Sequence, residues 1–142
     1  MRILIVEDDT AVRELLAQGL TSLHHEVLTA ASGSTGLGLA LTRAPDLVVL
    51  DLGLPDLDGL TVLKMLRTVT SVPVVAATGR ESENQVIRGL EAGADDYVVK
   101  PFTAALLNAR LNAVVRRRRG VEESDRMRVG RLEVDSGGRP PH

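Results

Sequence analysis

Five short apolar runs, separated by longer segments of helical period, constrain this chain more than any other feature. They are Ile3 to Val6, Val27 to Ala30, Leu47 to Leu50, Val72 to Ala76 and Tyr97 to Val99. Three are rich in Val and Ile and nearly continuous in apolarity, the pattern of strands buried on both faces of a parallel sheet. Between the runs, Val12, Leu15, Leu16 and Leu20 share one helical face, Leu60, Leu63 and Leu66 a second, and Leu107, Leu111, Val114 and Val115 a third. Pro45 precedes the third run, Pro73 begins the fourth, and Asp58-Gly59 marks a turn into a helix. Ser32 to Arg43 is the weakest helix, because Gly33, Gly36 and Gly38 all lower its propensity. Five β-α repeats predict an α/β fold, an open doubly wound sheet with helices on both faces and right-handed crossovers.

Other properties narrow the class. A chain of 142 residues with 44% apolar content supports one ordinary core. Cysteine is absent, which excludes disulfides and thiolate metal sites. No apolar run approaches the roughly 20 residues needed to cross a bilayer. The start, Met-Arg-Ile-Leu-Ile-Val, lacks the apolar length and cleavage site of a signal peptide, so a cytoplasmic location without membrane contact is expected. The net charge of -2 offers no basic excess for nucleic acid. After Val115 the periodic pattern stops. Residues 119–126 read as a linker, Met127 to Asp135 as a short strand without a sheet of its own, and the Gly/Pro-rich end as disordered.

In open α/β sheets, chemistry collects outside the carboxyl ends of the strands. Here the first strand ends in Glu7-Asp8-Asp9, the third in Asp51, the fourth near Thr78 and the fifth at Lys100. If strands one and three are neighbours, three or four carboxylates converge and raise one another's pKa. A hard divalent cation would relieve that conflict, and oxygen ligands suit Mg²⁺. Asp51 could then attack phosphorus, Thr78 hydrogen-bond a phosphoryl oxygen, and Lys100 supply positive charge to it. Each part also has a plain reading: Glu7-Asp8-Asp9 as a capping turn, Asp51 as a turn residue, Thr78 as structural and Lys100 as a surface charge. The coincidence of all four at strand ends favours the chemical reading.

These residues resemble a known family. Ile3-Leu4-Ile5-Val6-Glu7-Asp8-Asp9, Asp51-Leu52-Gly53-Leu54-Pro55 with Asp58-Gly59, Thr78, Gly93-Ala94-Asp95-Asp96-Tyr97 and Lys100-Pro101-Phe102 together resemble response-regulator receiver domains, from Arg2 to about Arg118. The resemblance implies a flavodoxin-like sheet of five parallel strands in the order 2-1-3-4-5 with five helices; a receiver is itself a standard example of that order. It implies that Asp51 takes a phosphoryl group from a sensor histidine kinase. It implies Mg²⁺, or Mn²⁺, on Asp8, Asp51 and the Gly53 backbone carbonyl, with Glu7 bound through water and Asp9 outside the ligand set. Thr78 and Lys100 become the phosphate-sensing pair, Tyr97 the switch aromatic that turns inward with Thr78, and Lys100-Pro101 a cis bond. On this reading the domain is not an enzyme, beyond promoting its own phosphorylation and dephosphorylation.

The run Arg88 to Tyr97, with Arg110 and Arg116-Arg117, looks like the OmpR/PhoB type. That implies a homodimer through the fourth helix, fifth strand and fifth helix, with Arg88, Asp95, Asp96 and Arg110 at salt-bridging positions. A further acidic position is Leu106 here, which leaves Arg88 without that partner. Residues 1–118 would be the receiver. Met127 to Asp135 resembles the first strand of a winged-helix effector, so 127–142 reads as the start of a truncated effector or a disordered tail. DNA would then be bound only through the missing part, in transcription control. The residues two beyond Asp51 and Thr78, Gly53 and Arg80, tune dephosphorylation in the family.

Other classes fit less well. No G-x-G-x-x-G or G-K-[ST] loop is present, Asp56-Leu57-Asp58-Gly59 lacks the spacing of a calcium loop, and no zinc pattern surrounds the histidines. A phosphatase of the haloacid-dehalogenase type expects a second Asp two residues beyond the nucleophile, where Gly53 stands. A phosphate-independent pseudo-receiver predicts degenerate acidic or lysine positions, and none are degenerate.

Overall fold

The structure is a computed structural model that describes residues 1–79 and 83–135, with side chains described as far as residue 121. Strands and helices alternate as β1 (Arg2–Val6), α1 (Thr10–Ser22), β2 (Glu26–Ala30), α2 (Gly33–Thr42), β3 (Leu47–Asp51), α3 (Gly59–Val69), β4 (Val74–Gly79), α4 (Glu83–Glu91), β5 (Asp96–Lys100) and α5 (Ala104–Asp135). All strand pairs are parallel and the sheet order is β2-β1-β3-β4-β5. This is the flavodoxin-like order expected. The chain divides into two units, residues 1–111, which hold the sheet, and residues 112–142.

The strands form where the apolar runs lie, because their residues are covered on both faces. Ile3, Leu4, Ile5 and Val6 of β1 and Leu47 to Leu50 of β3 are essentially inaccessible to solvent. Each such side chain contributes roughly 1.5–3 kcal/mol on burial. β4 begins at Val74 rather than Val72. Pro73 has no N–H to give the ladder, but its carbonyl accepts from the Val48 N–H at 2.9 Å. Leu16 and Leu20 of α1 are buried, whereas Leu15, placed on the same face by periodicity, is 68% exposed.

Two local outcomes need a physical account. α2 forms as expected, and two of its glycines, Gly33 and Gly36, are packing sites. A Cβ on Gly36 would come 2.7 Å from Val6 Cγ2, and one on Gly33 would come 2.9 Å from Val62 Cγ2. The helix is capped by the Ser32 side chain, which accepts from the Thr35 N–H. Tertiary packing here outweighs propensity. The second outcome concerns the carboxyl-terminal segment. Residues 119–126, expected as a linker, and Met127–Asp135, expected as a strand, continue α5. A strand needs a neighbour for its backbone groups, and among the described residues no further strand is available. A helix satisfies those groups locally.

Candidate functional site

The parallel sheet brings the ends of β1, β3, β4 and β5 to one rim. Val6 pairs with Leu50, Asp51 with Ala77 and Gly79 with Lys100, so Glu7, Asp51, Thr78 and Lys100 emerge beside one another. Glu7, Asp51 and Thr78 are buried polar groups, at 2%, 4% and 0% exposure. Buried polar groups require partners, and those present are specific. Lys100 Nζ lies 2.6 Å from Glu7 Oε1 and 3.1 Å from Asp51 Oδ2. The Gly53 N–H donates to Asp51 Oδ1 at 2.9 Å, and the Asp9 N–H donates to Glu7 Oε2 at 3.1 Å. Thr78 Oγ1 donates to the Val98 carbonyl at 3.5 Å, a weak bond that a better acceptor could displace.

The electrostatics follow from the count of charges. Burial pushes the Glu7 carboxyl above its ordinary range and the neighbouring Asp51 charge adds to this, against hydrogen bonds from Lys100 and Asp9. Burial also opposes the Lys100 ammonium, but hydrogen bonds to Glu7 and Asp51 and their negative charge outweigh it and raise its pKa. Oxygens of Glu7, Asp8 and Asp51 all lie within 4.8 Å of one another. One ammonium does not balance three carboxylates, and the donors are all hard oxygens. In an octahedral Mg²⁺ shell, opposite oxygens stand about 4.2 Å apart. The donor set therefore fits a divalent cation held directly or through water. Asp8 is exposed and faces such an ion from the open side.

Asp9 has a different task from its neighbours. Its Oδ1 accepts from the Val12 N–H at 3.0 Å and caps α1. The Lys100-Pro101 bond is cis. Gly53 itself offers no side chain to shield Asp51, and Arg80 lies outside the described residues. Tyr97 is partly buried and packs against the core that contains Leu50, Leu52 and Ala76.

The four residues expected on a dimer face are divided by the structure. Arg88 is exposed on α4 and lines a cavity of about 480 Å³ with Asp58, Lys64 and Glu91. Arg110 Nη1 lies 3.5 Å from Asp96 Oδ2 within the subunit, and both are partly accessible. Asp95 points elsewhere. Its Oδ2 accepts from Arg67 Nη2 at 3.1 Å and from the Val74 N–H at 2.8 Å, so it fastens the start of β4 to the end of α3. The Asp95 carboxylate thus engages a half-buried cation and a strand-end amide of its own subunit. Ile87, Leu90 and Leu106 are instead the exposed apolar residues of this face, each more than 40% accessible.

Three contributors escaped the sequence reading. Arg13 of α1 donates to the Glu7 carbonyl at 2.9 Å and to the Asp8 carbonyl at 3.3 Å, bracing the acidic turn. Arg67 donates through Nε and Nη2 to the Gly93 carbonyl and through Nη1 to the Val72 carbonyl. Asp56 accepts from the Gly33 and Ser34 amides. The only sequence signal for Arg67 is a basic residue in the last turn of α3, where it favours the helix carbonyl end. Its partners Gly93 and Asp95 lie 26 and 28 residues away and are invisible to periodicity.

Comparison with known proteins agrees with this geometry. Residues 3–112 match the response regulator receiver domain family. The chain is 46% identical over 134 residues to the transcriptional regulatory protein AfsQ1 of Streptomyces coelicolor, covering 94% of this chain and 59% of the relative. It is 45% identical over 141 residues to the transcriptional regulatory protein PrrA of Mycobacterium tuberculosis, covering 97% and 60%. The chain thus spans about three-fifths of the length of these curated relatives. Among solved structures, the receiver domain of a Francisella response regulator superposes with a TM-score of 0.77 at 31% identity, over 82% of this chain and 97% of that one. NtrX from Brucella abortus gives 0.82 at 31% identity, over 89% of this chain and 30% of that one.

Proposed function

Because this chain belongs to the response regulator receiver domain family, we propose that Asp51 accepts a phosphoryl group from the phosphohistidine of a sensor kinase. The observation that carries the proposal is Asp51 itself, a buried carboxylate at the end of β3 held between the Lys100 ammonium and the Gly53 amide, beside Glu7 and Asp8. In the reaction an Asp51 oxygen bonds to phosphorus as the phosphorus–nitrogen bond breaks, and the leaving imidazole takes a proton. Asp8, Asp51 and the Gly53 carbonyl would hold Mg²⁺ or Mn²⁺, with Glu7 binding through water. That ion, when bound, neutralises charge on the transferring oxygens. Lys100 exchanges its bond to Asp51 for one to a phosphoryl oxygen, and Thr78 leaves the Val98 carbonyl to do the same. Tyr97, packed at the edge of the core, follows the space that Thr78 vacates.

The output is a change on the α4–β5–α5 face. We place homodimerisation there, with Ile87, Leu90 and Leu106 at its apolar centre and Arg88, Asp96 and Arg110 around it. The relatives are transcriptional regulators longer than this chain. We therefore read residues 1–118 as the receiver, 119–126 as a connection and 127–142 as the start of a DNA-binding effector. The domain acts in the cytoplasm with its kinase; no helix among the described residues is long and apolar enough to cross a membrane. Its chemistry is confined to gaining and losing its own phosphoryl group. Gly53 gives no general acid for turnover of external phosphoesters, and the complete acidic and lysine set disfavours a phosphate-independent module.

The deciding experiment is incubation with acetyl phosphate, with and without Mg²⁺, read by intact mass. One Mg²⁺-dependent phosphoryl adduct is expected on the wild type and none on Asp51→Asn. An adduct of equal yield on the variant, or none on the wild type, overturns the assignment.

A further inference from the structure

The connection from β3 to α3, residues 52–58, carries Gly53 and with it one wall of the site. Both ends of this connection are fixed by backbone. The Leu52 N–H donates to the Ala77 carbonyl at 3.0 Å, and the Gly59 N–H donates to the Leu52 carbonyl at 3.3 Å. Gly59 is so close that a Cβ there would come 2.3 Å from Leu52 Cα and 2.6 Å from the Asp51 carbonyl oxygen. The middle is held differently. Asp56 Oδ1 accepts from the Gly33 N–H at 2.8 Å, and Oδ2 accepts from the Ser34 N–H and the Ser34 hydroxyl, both at 3.1 Å. Gly33 permits this approach, since a Cβ there would lie 3.1 Å from Leu57 Cβ. Asp58, the other polar side chain of the connection, is exposed and caps α3 by accepting from the Leu60 N–H.

We propose that Asp56 is a positioning residue for the cation site. By fastening the connection to the first turn of α2, it holds Gly53, and through the Gly53 amide the Asp51 carboxylate, where a divalent cation and a phosphoryl group need them. This rests on the function proposed above. The physical need is plain. A glycine adopts many backbone conformations, so a metal-binding carbonyl at Gly53 is only as well placed as the flanking residues make it. Bonds from backbone amides to an ionised carboxylate are the strong kind. The same amides hold the Asp56 carboxyl down to about 2, so it is fully ionised at neutral pH.

The test uses the full chain. Mg²⁺ is titrated calorimetrically, and phosphorylation by acetyl phosphate is followed by intact mass across Mg²⁺ concentrations. Asp56→Ala should bind Mg²⁺ roughly 3- to 10-fold more weakly, less than the loss at a residue bonded directly to a metal ligand. At saturating Mg²⁺ its phosphorylation rate should return to near wild type, so the defect lies in the half-saturating concentration and not in the maximal rate. Asp56→Asn, which keeps one acceptor, should fall between, and Ser34→Ala, which loses only the hydroxyl bond, should match wild type. A folded variant with a lower melting temperature but wild-type Mg²⁺ affinity overturns the proposal, as does a loss confined to the maximal rate. If the alanine variant does not fold, the asparagine variant decides by the same criteria. Failure of the wild type to bind Mg²⁺ or take phosphoryl would instead overturn the function on which this rests.

Discussion

The Lys100 ammonium stands 2.6 Å from Glu7 Oε1, closer than its 3.1 Å approach to Asp51. In this arrangement the lysine occupies part of the electrostatic role that a metal ion would fill. Lys100→Met should therefore bind Mg²⁺ more tightly, by roughly tenfold, after discounting the charge for the lysine's partial exposure. The same variant should be phosphorylated by acetyl phosphate roughly 100-fold more slowly, because a donor to the transferring group is gone. Calorimetry and intact mass measure the two effects separately. Unchanged Mg²⁺ affinity would show that the cation does not feel the lysine.

Tyr97 gives the switch its own reporter, since the chain has one tyrosine and no tryptophan. Saturating the wild type with Mg²⁺ and beryllofluoride, a phosphoryl mimic, should change tyrosine emission. Thr78→Ala should still bind the mimic yet leave the emission unchanged, because it lacks the hydroxyl proposed above to draw Tyr97 inward. An equal response in both proteins would uncouple Tyr97 from Thr78.

Asp56 also governs behaviour in acid. Its folded pKa is about 2, against an ordinary value of 3.8, because the Gly33 and Ser34 amides bond to the charged form. A depressed carboxyl stabilises the fold above its unfolded pKa and loses that contribution as pH falls through the folded value. The difference in urea midpoint between wild type and Asp56→Asn should be constant near neutrality and shrink as pH drops from about 4 toward 2. A difference that grows on acidification would contradict the assignment.

Arg67 and Asp95 should matter to stability and not to assembly. Arg67→Met removes the Arg67–Asp95 ion pair and the guanidinium donors to the Gly93 and Val72 carbonyls. The expected loss is about 2–3 kcal/mol by urea denaturation, below the figure for a fully buried pair because the side chains remain 20% exposed. Arg67→Lys should restore little, since three separate acceptors need the guanidinium fork. In contrast, Leu106→Arg should leave stability in urea within about 0.5 kcal/mol of wild type and abolish, in analytical ultracentrifugation, the phosphorylation-dependent dimer proposed above. A dimer that survives Leu106→Arg would move the interface off this face.

What could be read in advance follows from range. The strands were legible because burial on both faces writes itself as continuous apolarity, and the site because parallel strands must deliver their last residues to one rim. Glu7, Asp51, Thr78 and Lys100 needed only strand order to converge. The clasp of Arg67 on Gly93 and Asp95, and the bonds of Asp56 to α2, needed atomic placement across 22–28 residues of chain. Why Gly33 and Gly36 stand in α2 was not legible, because their reason, the proximity of Val62 and Val6, lies on other elements. Leu15 followed helical period yet faces outward, since period identifies a stripe and not its edge.

The ion pairs at the opposite rim, Arg2 with Glu26 and Arg67 with Asp95, sit at the amino ends of the strands. These two ties are thus kept at the pole of the sheet opposite the reactive rim. Changes of charge around Asp51 can come and go through many cycles while the ties that keep the strands aligned stay out of their reach, and the domain can be rewired at one pole without being loosened at the other.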